Sequence, residues 1–187
     1  VVHRSLHVAV LLRHQRERLA ALVEGTNMDL QRSLPLPLLP RRVAVISAAD
    51  AAGYGDFCHQ LQSNSGGFRF RTQLFPAVMQ GEQSPASIIA ALQQIAATVD
   101  LYDLVVIVRG GGATTDLRNF DDYSLAFHCA NFPLPIIAGI GHTRDVSVVD
   151  MVVHTSVKTP TAAAERLIAT MQAQADRLGE LHLRLQR

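Results

Sequence analysis

The sequence predicts an α/β protein with three layers, α/β/α, built on a mainly parallel sheet and flanked by an N-terminal and a C-terminal helix. Three observations predict it. Leu104–Val108 and residues 134–140 are continuously apolar, the pattern of strands covered by helices on both faces. Amphipathic segments alternate with the strand-like runs in the order β-α-β-α-β-α-β, which brings successive strands together in parallel through helical crossovers. Polar and glycine-rich segments follow directly on the strands, at the carboxyl edge where such sheets bind ligands.

Each element has its own warrant. Residues before Gly25 carry Leu12, Leu19, Leu22 and Val23 among arginines, a helical stripe with Gly25 as its stop. Pro35, Pro37 and Pro40 alternate with leucines and exclude helix, giving an extended connector. Residues 43–46 form the first strand, and Asp50 is in place to cap a helix running towards Leu61. Residues 68–75 alternate Phe68, Phe70, Thr72 and Leu74 with Arg69, Arg71 and Gln73, the signature of an edge strand with one face in water. Ser84 and Pro85 open the next helix, striped by Ile88, Leu92 and Ile95. Residues 120–130 form the helix between the two buried strands, and another helix is expected to start near Asp145. Thr161 is read as the cap of a last helix, with Glu165 completing the capping arrangement. Beyond it Leu167, Met171, Gln174, Leu178, Leu181 and Leu185 repeat at spacings of four and three, a heptad seam suited to a partner. The divisions expected are 1–40, N-terminal helix and connector; 41–165, α/β catalytic domain; and 166–187, the start of a truncated coiled-coil-like helix. The chain opens on Val1 and stops inside this repeat, so it reads as a piece of something longer.

Composition narrows the class. At 187 residues and 48% hydrophobic the chain can bury one full core. It lacks an apolar run of spanning length and a signal peptide, so a soluble protein without membrane contact is expected. Cys58 and Cys129 stand far apart, which suits free thiols and a cytoplasmic location. Net charge is +1, so a polyanion would have to be held by locally concentrated positive charge. Lys158 is the single lysine beside 16 arginines; an arginine excess of this kind also arises as compositional habit.

Arg109-Gly110-Gly111-Gly112 after the strand Leu104–Val108 is the strongest sign of chemistry. Glycines let backbone N–H groups approach an anion, and guanidinium offers a planar fork for two phosphate oxygens. The plainer alternative is a simple strand-to-helix turn. His142 follows the strand 134–140, and its imidazole can take or give a proton near neutral pH. Asp145 lies three residues on, where it can orient the ring, cap a helix, or do both. Asp56 sits in Gly53-Tyr54-Gly55-Asp56 after the first strand, and is either a site carboxylate or a solvated charge on a helix face. Asp116, Asp121, Asp122 and Asp150 read as caps or surface charges. His142, Asp145 and Asp56 do not have the spacing of a dedicated metal site, which is therefore not expected, although two carboxylates with water could bind Mg²⁺ between substrate phosphates.

These residues fall into a known pattern. The stretch 43–165 resembles the catalytic domain of the exodeoxyribonuclease VII large subunit family, bacterial nucleases of single-stranded DNA. The matching blocks, in order, are Gly53-Tyr54-Gly55-Asp56-Phe57, Val78-Met79-Gln80-Gly81, Arg109 to Gly112 with Asp116, Leu117 and Phe120, then Gly141-His142 with Asp145, and Thr159 through Glu165. The resemblance implies hydrolysis of single-stranded DNA from both ends to oligonucleotides with 5′ phosphates, with no cofactor required. It implies Asp56, Arg109, His142 and Asp145 as catalytic residues, with Arg109, Gly110, Gly111 and Gly112 binding phosphate. It further implies a small subunit held by a longer helical region, homo-oligomerisation in the full complex, and an N-terminal oligonucleotide-binding barrel. Two positions depart from the family: Thr143 stands where Glu is usual, and Ser156 where Arg is usual. Two other readings remain beside this one, an α/β enzyme acting on a small phosphate ligand, and a catalytically weakened domain that binds DNA or carries a subunit.

Overall fold

The computed structural model describes residues 29–110, 114–140 and 146–186. The expected N-terminal helix before Gly25 lies outside them. The sheet has five strands, β1 (Arg42–Ser47), β2 (Arg71–Pro76), β3 (Leu104–Val108), β4 (Ile136–Gly139) and β5 (Thr155–Ser156). All neighbours pair in parallel, in the order β2-β1-β3-β4-β5. The helices are α1 (Leu30–Ser33), α2 (Ala52–Gln62), α3 (Ser84–Ala96), α4 (Tyr123–Ala130), α5 (Val148–Val152) and α6 (Pro160–Leu185), with short 3-10 turns at Val99–Leu101 and Thr114–Asp121.

Strand order explains where polar groups gather. From β1 the chain crosses through α2 to β2 at the edge, then returns through α3 to β3 on the other side of β1. The order therefore reverses between β1 and β3, and the connections leaving these strands diverge to open a crevice at their carboxyl ends. β1, β3 and β4 are buried on both faces because two separate apolar clusters cover them. One is built from Ala44, Ile46, Val105 and Ile107 with α3, α4 and α5. The other unites Val43, Val45, Val106 and Ile137 with Phe57 and Leu61 of α2 and Ala163, Ala164 and Leu167 of α6. β2 is one edge strand, as its alternation predicts, with β5 at the other edge, and it begins at Arg71 rather than Phe68.

Several termini differ from the sequence reading. Ala51, not Asp50, occupies the N-cap of α2, and no side chain caps that helix. Thr159, not Thr161, caps α6 by accepting from Ala162 N. Pro160 sets this position: it lacks an N–H and its fixed φ suits the first helical turn, so the cap falls on the residue before it. That places Ala162 three residues after the cap and leaves Glu165 six residues beyond it, out of a capping arrangement. Gln83 precedes α3, leaving Ser84 buried as its first residue. Residues 120–130 divide into a 3-10 turn and α4, because Asp122 accepts from Leu125 N and starts the α-helix afresh. α5 begins at Val148 under a capping box of Ser147 and Asp150, later than a start near Asp145. β5 was not predicted; two residues give no periodicity.

α1 was likewise unread within the connector region. Its Gln31 is fully buried, donating to the carbonyls of Phe132 and Leu134 at 2.7 and 3.1 Å and accepting from Ile136 N at 2.9 Å. One carboxamide thus pins the approach to β1 against the start of β4. α6 runs unbroken from Pro160 to Leu185; Leu167 and Met171 are buried, while Leu178, Leu181 and Leu185 are exposed. No helix among the described residues is long and apolar enough to cross a membrane.

Candidate active site

A cavity of about 640 Å³ opens at the carboxyl ends of β1, β2 and β3, where the strand order reverses. Its walls come from three loops: 48–52 after β1, 76–80 after β2, and Arg109-Gly110 after β3, with Ser87 of α3 closing one side. Among the described residues two charged ones line it, Asp50 in the loop after β1 and, at the end of β3, Arg109. Arg109 is 6% exposed, and its backbone N–H donates to Gly139 O of β4 at 3.3 Å.

The sequence around Arg109 permits unusually close packing. A Cβ on Gly53 would lie 2.8 Å from Gly110 Cα, 2.9 Å from Arg109 O and 2.9 Å from Pro160 Cγ. A Cβ on Gly139 would lie 2.9 Å from Thr159 O. The first turns of α2 and α6 therefore rest directly on the ends of β3 and β4. Gly55, by contrast, has open space around it, so only the first of the two glycines in this motif is there for close approach. Because α2 lacks a side-chain cap, its first N–H groups are not taken up by a capping residue. An uncapped helix N-terminus resting on the Arg109-Gly110 backbone favours an anion.

The loop after β2 contributes what the sequence left without a role. Ala77 N donates to Ser47 O at 2.9 Å, Val78 N to Ser87 Oγ at 2.9 Å, and Ser84 N to Gly81 O at 3.0 Å. Gly81 takes φ +79°, a conformation that other residues rarely adopt. Val78, Met79 and Gln80 are thereby fixed along the cavity wall facing the crossover.

Of the expected site residues, Arg109 and Gly110 line this cavity. Asp56 is exposed on α2, one turn beyond the residues of that helix that reach the lining. Gly111, Gly112, His142, Thr143 and Asp145 lie outside the described residues. Asp121 and Asp150 act as the structural charges expected of them. Asp121 accepts from Val148 N at 2.9 Å; Asp150 is buried and accepts from Ser147 N, Ser147 Oγ and Ser156 Oγ at 3.0, 2.7 and 2.7 Å. Ser156 thus supplies a neutral donor to a buried carboxylate. Among the described residues no three His, Cys, Asp or Glu side chains are grouped so that they could hold a metal ion.

Fold and crevice together define a doubly wound α/β domain with a cavity at its switch point, lined in part by a buried arginine. Comparison with known proteins makes this specific. The chain belongs to the exonuclease VII large subunit family, whose model, described as "Exonuclease VII, large subunit", matches residues 27–187. It is 37% identical over 161 residues to the exodeoxyribonuclease 7 large subunit of Nostoc sp., covering 86% of this chain and 38% of that protein. The protein of the same name from Cyanothece sp. is 39% identical over 158 residues, covering 84% and 36%. That from Acaryochloris marina is 36% identical over 166 residues, covering 88% and 38%. The chain thus spans well under half the length of these relatives.

Proposed function

We propose that this chain carries the catalytic part of an exodeoxyribonuclease VII large subunit, which hydrolyses single-stranded DNA from both ends to oligonucleotides bearing 5′ phosphates. The observation that carries the reading is Arg109, buried at the crossover and lining a cavity there, in a chain of this family. Residues 41–165 would form the catalytic domain, with the helix beyond them serving subunit assembly.

In the proposed reaction water attacks phosphorus and the bond to the 3′ oxygen breaks, leaving the phosphate on the 5′ side of the released fragment. Arg109 and the amides of Gly110, Gly111 and Gly112 would hold the scissile phosphate and stabilise its added negative charge. His142 would protonate the departing 3′ oxygen or activate the water, oriented by Asp145. Asp56 would position or deprotonate the nucleophile from the α2 side of the crevice. The reaction would need no metal, with Mg²⁺ at most assisting at the substrate phosphates. Single-stranded DNA and a small subunit would be the partners, and the assembled enzyme would contain several copies of each chain.

The test is digestion of end-labelled single- and double-stranded DNA by the complete large subunit with its small subunit, with and without chelator. The reading expects both 5′- and 3′-labelled single strands to shorten, duplex to resist, and activity to survive chelation. Saturable binding of a small phosphate compound, without any DNA cleavage, would replace it with the small-ligand alternative.

A further inference from the structure

The cavity is far larger than one phosphate group fills. At about 640 Å³ it falls in the range of roughly 300–1,000 Å³ typical of sites for whole small molecules. Its wall opposite Arg109 is not built for an anion. Ala48, Ala52, Pro76 and Ala77 line it with alkyl groups, Met79 contributes its remaining exposed edge, Gln80 is exposed beside them, and Asp50 stands on the loop after β1. Met79 is 4% exposed and belongs to the apolar core, so this wall is backed by packed protein. The hydrogen bonds that hold the 77–81 turn at Ser47, Ser87 and Ser84 mean that it is already shaped before any ligand arrives.

We propose that this wall is a recess for a nucleobase, occupied by the base of a nucleotide whose phosphate lies at Arg109, and that it accepts all four bases. The inference rests on the reading of Arg109 as the phosphate ligand and adds to it the neighbouring subsite. An apolar surface beside a cation suits a nucleotide, which joins an anion to a flat, largely apolar ring. Among the described residues no aromatic side chain lines the recess, so these walls lack the stacking platform that grades bases by ring size. Met79 is instead an adaptable, polarisable contact that fits different shapes. Gln80 carries both donors and an acceptor on one carboxamide and can serve any base edge that reaches the rim. The block Val78-Met79-Gln80-Gly81 gains a role on this account: Gly81 permits the turn, Met79 faces the ring, and Gln80 meets its edge.

The complete two-subunit enzyme tests this with a single-stranded oligonucleotide and a second carrying abasic tetrahydrofuran residues throughout, so that the phosphates are kept and the bases removed. Three proteins are compared: the parent, Ala49→Phe and Arg109→Ala. Ala49 is an exposed residue of the lining, so a large side chain there obstructs the recess without entering the core; an unchanged thermal midpoint verifies that the variant folds. For the parent, removing the bases should raise KM about tenfold, the scale of about 50–60 Å² of apolar surface no longer buried. Ala49→Phe should raise KM similarly on normal DNA and hardly at all on abasic DNA, because both changes remove the same contact. If base removal and Ala49→Phe each leave KM unchanged, or if their effects simply multiply, while Arg109→Ala slows cleavage about 10²–10³-fold, the recess is wrong and the phosphate assignment stands. If Arg109→Ala cleaves at the parental rate, the phosphate assignment falls and the recess with it.

Discussion

Gly53→Ala should loosen the joint between α2 and the Arg109 turn, and its cost can be worked from three distances. The new Cβ would stand 2.8 Å from Gly110 Cα, 2.9 Å from Arg109 O and 2.9 Å from Pro160 Cγ, whereas carbon atoms prefer separations of about 3.5–4.0 Å. Two of the three obstacles are backbone and cannot swing aside, so α2 or the turn must move by several tenths of an ångström. Overpacking of this kind costs about 1–3 kcal/mol. Alanine returns at most about 1 kcal/mol of helix propensity, and less in the first turn where Gly53 sits. The net loss is on the order of 1–2 kcal/mol, or about 2–8 °C in Tm for a domain of this size. Gly55→Ala is the internal control. It lies in the same helix with nothing within 4 Å of its Cβ, so it should gain up to about 1 kcal/mol from propensity. Thermal unfolding of both variants followed by circular dichroism, in one buffer at one concentration, gives the comparison. Equal upward shifts for the two would refute the tight seating of α2 on the end of β3.

Other consequences are open to direct measurement. Gln31→Ala should lower stability by on the order of 3 kcal/mol in chemical denaturation, since it strips hydrogen bonds from Phe132 O, Leu134 O and Ile136 N together. Burial pushes the Cys129 thiol up to about 12, so a thiol-alkylating reagent should modify native protein at the half-buried Cys58 and reach Cys129 only under denaturant; fast native labelling of Cys129 would contradict the packing of α4. Burial works to raise the Asp103 carboxyl, but hydrogen bonds from the Arg42 guanidinium and from the N–H groups of Arg42 and Arg41 outweigh it and hold the group below its ordinary 3.8. A depressed carboxylate stabilises the fold above its unfolded value, and that contribution is lost as pH falls through the folded one. Asp103→Asn should accordingly flatten the decline in Tm below about pH 4 relative to the parent.

What the sequence revealed and what it hid divide along physical lines. The continuous apolar runs of β3 and β4 and the alternation of β2 are local consequences of burial on two faces or one, so they stand in the sequence itself. Arg109 was visible for the same reason: a charged residue directly after a buried strand has to lie at the sheet's carboxyl edge. Helix starts were harder, because several candidate oxygens compete at each; at α6, Pro160 decides in favour of Thr159, and at α5 the Ser147 and Asp150 pair forms the cap. β5 escaped notice because two residues carry no period. Gln31 looks like any surface glutamine until the backbone groups of residues 132–136 are placed around it. The cavity was the least legible feature. Its walls are alanines, Met79 and a glycine turn from three loops, residue types with no chemical signature of their own. Arg109 and Gly110 marked one side of it, and for the wall after β2 the matched motif Val78-Met79-Gln80-Gly81 was the one sign, without a role.

The central claim is that the Arg109 guanidinium holds the phosphodiester that is cut. Single-turnover cleavage of end-labelled single-stranded DNA by the complete enzyme, parent against Arg109→Ala, measures this without interference from product release. The account predicts that the chemical step slows by about 10²–10³-fold, the scale for removing one charge-stabilising group, in a variant whose cooperative thermal unfolding verifies that it folds. A folded Arg109→Ala enzyme that cleaves at the parental single-turnover rate would contradict it.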